Sequence, residues 1–107
     1  MTQFDKREEG FEKKFALDEE QKFKAEARRN RLLGMWAAEK LGITGDAVAA
    51  YAKEVVAADF EEAGDGDVQR KVFGDLSAKG IAITEAQVRA KMDELMATAV
   101  MQVKTGT

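Results

Sequence analysis

Cysteine and histidine are both absent from these 107 residues, and several large classes of chemistry go with them. Without cysteine there is no disulfide framework, no thiolate nucleophile and no thiolate metal site. Without histidine there is no Ser-His-Asp triad, no imidazole metal ligation and no imidazole proton switch near neutral pH. Proline is missing too, and one tyrosine, one tryptophan and six phenylalanines make up the aromatic content. A chain without proline has few enforced turns, and an abundance of Ala, Glu and Lys favours helix over strand. No apolar run approaches the ~20 residues of a membrane-spanning helix. The first nine residues, MTQFDKREE, lack the apolar core of an export signal. No glycine-rich phosphate loop ending in Gly-Lys-Ser or Gly-Lys-Thr occurs. The expectation is an all-α, cytoplasmic protein without catalytic residues, metal or cofactor.

What is present fits one small domain with one core. The formal net charge is −3, but it is unevenly spread. Residues 1–31 hold nine basic and eight acidic side chains, and residues 32–107 hold eight and twelve. Within residues 1–17 the charges are four of each sign, and Phe4, Phe11, Phe15 and Leu17 are the large apolar side chains after the first methionine. Phe4, Phe11 and Phe15 are spaced seven and four apart, so a helix gathers them on one stripe with Glu8 between them. Gly10 weakens that helix by about 1 kcal/mol relative to Ala, and a segment this short is marginal alone. Residues 1–17 are therefore expected to form a mobile, mostly disordered arm, able to extend the first helix when docked. One reading of such an arm is a solubilising tail. The other is a segment that folds on binding, with phenylalanines entering a partner's groove and charges lining the rim. Three of six phenylalanines in so short a stretch favour the second.

Residues 18–107 are expected to form a four-helix bundle. Its first helix, about 18–41, starts at the acids Asp18, Glu19 and Glu20, where the helix dipole favours negative charge. Its core stripe is expected to be Phe23, Ala27, Leu33, Trp36 or Ala37, and Leu41, and Gly42 supplies a left-handed cap. The second helix, about 46–63, has Thr44 or Asp46 as cap, Val48, Tyr51, Ala52, Val55, Val56, Phe60 and Ala63 on one face, and Gly64 as its stop. A third, about 67–79, is capped by Asp67, presents Val68, Val72 and Leu76, and ends at Gly80. The fourth, about 84–103, opens with Thr84-Glu-Ala-Gln87, a capping box by spacing. Val88, Met92, Leu95, Met96, Ala99 and Val103 form its stripe, with the methionines read as core filler. Connections of a few residues suit antiparallel bundle neighbours.

Two charged clusters bear on chemistry. Glu61, Glu62, Asp65 and Asp67 lack the further oxygen ligands and distal glutamate of a calcium loop, so they read as a helix end and cap. Arg28, Arg29 and Arg31 open a second functional reading, a small helical module binding nucleic acid through phosphate contacts. The net acidity, and Glu19, Glu20 and Glu26 nearby, weigh against it, so no nucleic acid is expected as a partner.

Long runs of the chain are familiar. FKAEARRNRLLGMWAAEKLG (residues 23–42), AYAKEVVAADFEEAG (50–64) and DVQRKVFGDL (67–76) resemble the ATPase inhibitor zeta subunit of alphaproteobacterial F-type ATP synthases. The resemblance implies a four-helix bundle preceded by an inhibitory arm. It further implies that the arm inserts at a catalytic α/β interface of the F1 sector beside the rotor γ subunit and blocks ATP hydrolysis, as the mitochondrial inhibitor protein does. On that reading Phe4, Phe11 and Phe15 are apolar anchors, Lys6, Arg7, Glu8, Glu12, Lys13 and Lys14 are polar contacts, and Lys22, Lys24 and Arg28 are contacts at the rim. These individual roles follow from residue type. The free protein is expected to be a monomer that meets the inner membrane only through the synthase. The histidine-dependent pH control associated with the mitochondrial inhibitor has no counterpart here.

Overall fold

The computed structural model describes residues 17–59 and 65–106, and all regular structure among them is helical. The helices are α1 (Glu19–Leu41), α2 (Asp46–Ala58), α3 (Gly66–Ala78) and α4 (Glu85–Thr105). Residues 1–16, and with them the proposed arm, lie outside the described residues, as do 60–64. The expected continuation of the second helix to residue 63 and its stop at Gly64 fall in that second gap. The described part of α2 ends at Ala58, with Asp59 as its cap.

The two long helices are closed at both ends by their own sequence. Asp18 caps α1 by accepting from the Gln21 backbone N–H at 2.7 Å, while the Gln21 side chain accepts from the Asp18 N–H at 3.2 Å. Thr84 and Gln87 make the same reciprocal pair at the start of α4, so two of the four orphan donors at each helix start are satisfied. Gly42 is left-handed at φ 78°, and the N–H of Ile43 returns to the Ala38 carbonyl at 2.9 Å. That is the Schellman arrangement glycine permits at low cost. It repeats after α3, where Gly80 is left-handed and the Ile81 N–H reaches the Leu76 carbonyl at 3.0 Å.

The short helices start differently from expectation. Neither Thr44 nor Asp46 caps α2. Gly45 takes that position at φ 64° and ψ −143°, close to a backbone region open essentially to glycine alone, and no side chain caps the helix. At α3 the N-cap is Asp65, not Asp67, and its carboxylate makes no capping bond because two arginines engage it. Asp67 instead lies buried in the first turn, accepting from the Val68 N–H at 2.9 Å.

Helix α1 packs against all three others and carries the core. The main cluster joins Leu33, Ala37 and Ala38 of α1 to Tyr51 and Val55 of α2, Val68, Val72 and Leu76 of α3, and Val88 and Met92 of α4. Most of these side chains have no exposed surface, and burial of each large one stabilises the fold by about 1.5–3 kcal/mol. A smaller cluster of Ala25, Ala99 and Val100 extends the core toward the start of α1, and Leu17 packs against it. Trp36 only leans on the core, with Lys40 and Lys91 over its ring at 5.2 and 5.8 Å. Helices α1 and α2 approach closely at Gly34, where a Cβ would stand 2.7 Å from the Ala52 Cα.

The core stripe of α1 is thus Ala25, Arg29, Leu33 and Ala37, flanked by Asn30, Gly34 and Ala38. Phe23, expected in that stripe, is 59% exposed. At this end of α1 the inward positions are taken by Ala25, Arg29 and Asn30, and Phe23 faces outward.

Candidate partner-binding surface

Of the arginines in α1, Arg29 leaves the surface entirely. It is buried, its Nη1 donating to Asp65 Oδ2 at 3.0 Å and its Nε to Asn30 Oδ1 at 3.0 Å. Asp65 also receives both Nη atoms of Arg89, at 3.0 and 2.9 Å, and Arg89 reaches Gln69 Oε1 at 2.9 Å. One carboxylate therefore ties α1, the start of α3, and α4 together. The Arg89 hydrogen bonds hold the Asp65 carboxyl below its ordinary pKa, against the upward pull of partial burial, and Asp65 in turn raises Arg89. Of the acid cluster read as a helix end and cap, Asp65 stands at the N-cap of α3 and Asp67 in its first turn, and Glu61 and Glu62 fall outside the described residues. Among the described residues, no group of three or more metal-ligating side chains could hold an ion, and no helix is long and apolar enough to cross a membrane.

A second polar cluster joins α2 and α3. The Tyr51 hydroxyl donates to Asp75 Oδ2 at 2.7 Å, and Lys71 bridges Asp75 at 3.0 Å and Glu54 at 3.3 Å, with its Nζ 5.4 Å from the Tyr51 ring centroid. Burial, reinforced by the Asp75 carboxylate, pushes the Tyr51 phenol upward. Burial pulls Lys71 down, but Asp75 and Glu54 outweigh it and hold the ammonium above its usual value. These groups satisfy one another and bind the helices.

A groove lies at the start of α1. Phe23, Lys24, Ala27, Arg28 and Arg31 form one wall of a groove of about 650 Å³, and Gln102, Val103 and Gly106 of α4 form the other. Among the described residues that line it, three are cations and none is an acid. Lys24 is exposed and paired with Glu20 at 3.1 Å, and Arg28 Nη1 donates to Gln102 Oε1 at 3.1 Å. Lys22 and Arg31 are exposed. Two of the three expected rim residues, Lys24 and Arg28, are thus brought to one groove, and Lys22 is not among its lining. Val56 connects this groove to an apolar trough along α1 and α2 that is lined by Met35, Val48, Ala49 and Ala52. The arm residues, Phe4, Lys6, Arg7, Glu8, Phe11, Glu12, Lys13, Lys14 and Phe15, lie outside the described residues.

Among the described residues, four helices around one core, with buried charges paired between them, define a small all-α module. A family model for ATPase inhibitor subunit zeta matches residues 1–102. This chain belongs to that family, and so to the regulatory, non-catalytic subunits associated with ATP synthase. A solved solution NMR structure is similar over 79% of this chain and 96% of its own, at 59% identity and a TM-score of 0.69. No curated protein matches.

Proposed function

We propose that this chain inhibits ATP hydrolysis by inserting the segment before Leu17 at a catalytic α/β interface of F1, beside the γ subunit, where it becomes helical and stops rotation in the hydrolytic direction. The family match carries this reading, because it spans the arm together with the bundle. Phe4, Phe11 and Phe15 fill apolar pockets, and Lys6, Arg7, Glu8, Glu12, Lys13 and Lys14 pair along the rim. Lys24 and Arg28 extend that rim onto the bundle. The protein acts in the cytoplasm as a monomer when free, and sits at the inner membrane only as part of the synthase.

The start of α1 supports a division between arm and body. The capping box at Asp18 gives the helix its own beginning, so the bundle does not need the preceding residues for its hydrogen bonds. Leu17 belongs with the body because it packs on the Ala25–Ala99–Val100 cluster. The test is F1 hydrolysis with the intact chain and with residues 1–16 removed. The shortened protein is expected to stay folded and to lose inhibition. Equal inhibition by both would overturn the arm as the inhibitory element.

A further inference from the structure

We propose that Asp65–Gly66, at the start of α3, is a latent modification site, where the Asp65 carboxyl closes on the Gly66 backbone nitrogen and rearranges to isoaspartate, and that Arg29 and Arg89 together keep it closed. The chemistry begins in the sequence. It holds a single Asp-Gly pair and no Asn-Gly pair. Glycine has no Cβ, so nothing on residue 66 shields its nitrogen from the side chain before it. Gly66 is also the first residue of α3. A helix leaves the N–H of that position unpaired, and its dipole favours negative charge there. The nucleophile, the Gly66 amide anion, therefore forms where the fold stabilises it and does not tie it up.

Attack joins the Gly66 nitrogen to Asp65 Cγ, and the carboxyl hydroxyl leaves as water to give a succinimide. Water then adds at the Asp65 main-chain carbonyl carbon and breaks its bond to the Gly66 nitrogen. The chain now runs through Cγ, with one extra methylene in the backbone and no net change in composition. The first step requires the protonated carboxyl, because a carboxylate has no hydroxyl to release.

The fold withholds that electrophile in two ways. Arg89 donates to both Asp65 oxygens, at 3.0 and 2.9 Å, and Arg29 donates to Oδ2 at 3.0 Å. These charge-assisted bonds favour the carboxylate and fix Cγ in place, and the Arg89 pair is the main reason the carboxyl titrates below its ordinary range. The backbone adds a second restraint. With ψ at 14°, the Gly66 nitrogen nearly eclipses the Asp65 amide nitrogen, whereas ring closure needs it to eclipse Cβ. Turning that bond also swings away the Asp65 carbonyl that accepts from the Gln69 N–H at 3.2 Å. Isoaspartate would shift the carboxylate relative to α3 and leave buried Arg29 without its counter-charge, so the reaction, once begun, removes the tie between α1, α3 and α4.

The test is independent of any inhibitory activity. The full chain is incubated at neutral pH, and isoaspartate at residue 65 is followed by enzymatic carboxyl methylation and by fragmentation mass spectrometry. The folded chain should react at least about tenfold more slowly than the same chain unfolded in guanidinium chloride, the fold-change equivalent of one charge-assisted hydrogen bond. Arg89→Gln, folded by circular dichroism, should recover about tenfold of that rate. Val55→Ala loosens the core away from the arginines and should leave the rate near that of the intact protein. Gly66→Ala, added to Arg89→Gln, should suppress the product. Equal rates in the folded and unfolded chains overturn the proposal, as does an Arg89→Gln variant no faster than the intact protein. Equal acceleration by Val55→Ala would assign the protection to global stability and overturn the role of the arginines. Product persisting in the Gly66→Ala double variant overturns the assignment to this pair.

Discussion

At the scale of single residues, two positions decide more than their neighbours. Gly34 lets α1 and α2 touch, and Gly34→Ala places a methyl within 2.7 Å of the Ala52 Cα, a backbone atom that cannot swing aside. The helices must separate, an overpacking cost of about 1–3 kcal/mol, outweighing the gain in helix propensity of about 1 kcal/mol. A lower midpoint in chemical denaturation would show it, and unchanged or raised stability would refute the close approach. Asp65 is the other. Asp65→Asn leaves Arg29 buried and short of its counter-charge, at a cost of up to about 3 kcal/mol. Arg29→Met should cost less, because Asp65 keeps both hydrogen bonds to Arg89. Equal losses in the two variants would contradict the shared carboxylate. The sign of the pH effect follows from the lowered folded-state pKa of Asp65. Its contribution is fully present above the ordinary value of 3.8 and is lost as pH falls through the lower folded value. The intact protein should therefore lose stability below about pH 4 more steeply than Asp65→Asn.

At the scale of elements, the sequence is most legible where the backbone's own hydrogen bonds leave a side-chain signature. Thr84 and Gln87 could be paired by spacing alone, and they do pair. Thr84→Ala should destabilise the protein by about 1 kcal/mol, the usual worth of such a cap. A value near zero in thermal unfolding would mean that α4 is held by packing alone. The glycine stops at residues 42 and 80 are legible for the same reason, since each must turn left-handed. The start of α2 is less so, because Thr44 and Asp46 are good caps by type and the position belongs to Gly45, whose role depends on a dihedral angle. The core stripe of α3 and the first half of that of α4 read correctly because Val68, Val72, Leu76, Val88 and Met92 are large and regularly spaced, whereas at the end of α4 the buried pair is Ala99 and Val100, with Leu95, Met96 and Val103 only partly buried. The stripe of α1 does not. There the buried face is alanine, glycine, asparagine and arginine, so weighting by size selects Phe23 and misses Ala25, Arg29 and Asn30. The repeat at 25, 29, 33 and 37 was available in the sequence, but only a partner for Arg29 makes it a core, and Asp65 stands 36 residues away. The arm residues were assigned by composition and resemblance, and among the described residues only Leu17 touches that assignment.

At the scale of the whole molecule, the division between a self-contained body and the segment before it predicts how stability is distributed. Every helix closes on α1, and the main cluster draws side chains from all four. Opening any one of them exposes the shared core, so the body should unfold as one cooperative unit. The slowest amide exchange is expected at Leu33, Val55, Leu76, Val88 and Met92, which have at most 1% of their surface exposed. The turn at Gly106 should exchange quickly because it lies beyond the last packed residue of α4. Removing residues 1–16 should leave those slow rates unchanged within a factor of about two, since a shift of 1.4 kcal/mol would move them tenfold. The cap at Asp18 and the seat of Leu17 both remain in the shortened chain, and they supply what the start of α1 requires. Removing Leu17 as well should differ. The Ala25–Ala99–Val100 cluster then loses its outer cover, and protection near Ala99 should fall by the burial of one leucine, about 1.5–3 kcal/mol. If the two truncations exchange alike at Ala99, the boundary between arm and body lies further into α1 than Leu17.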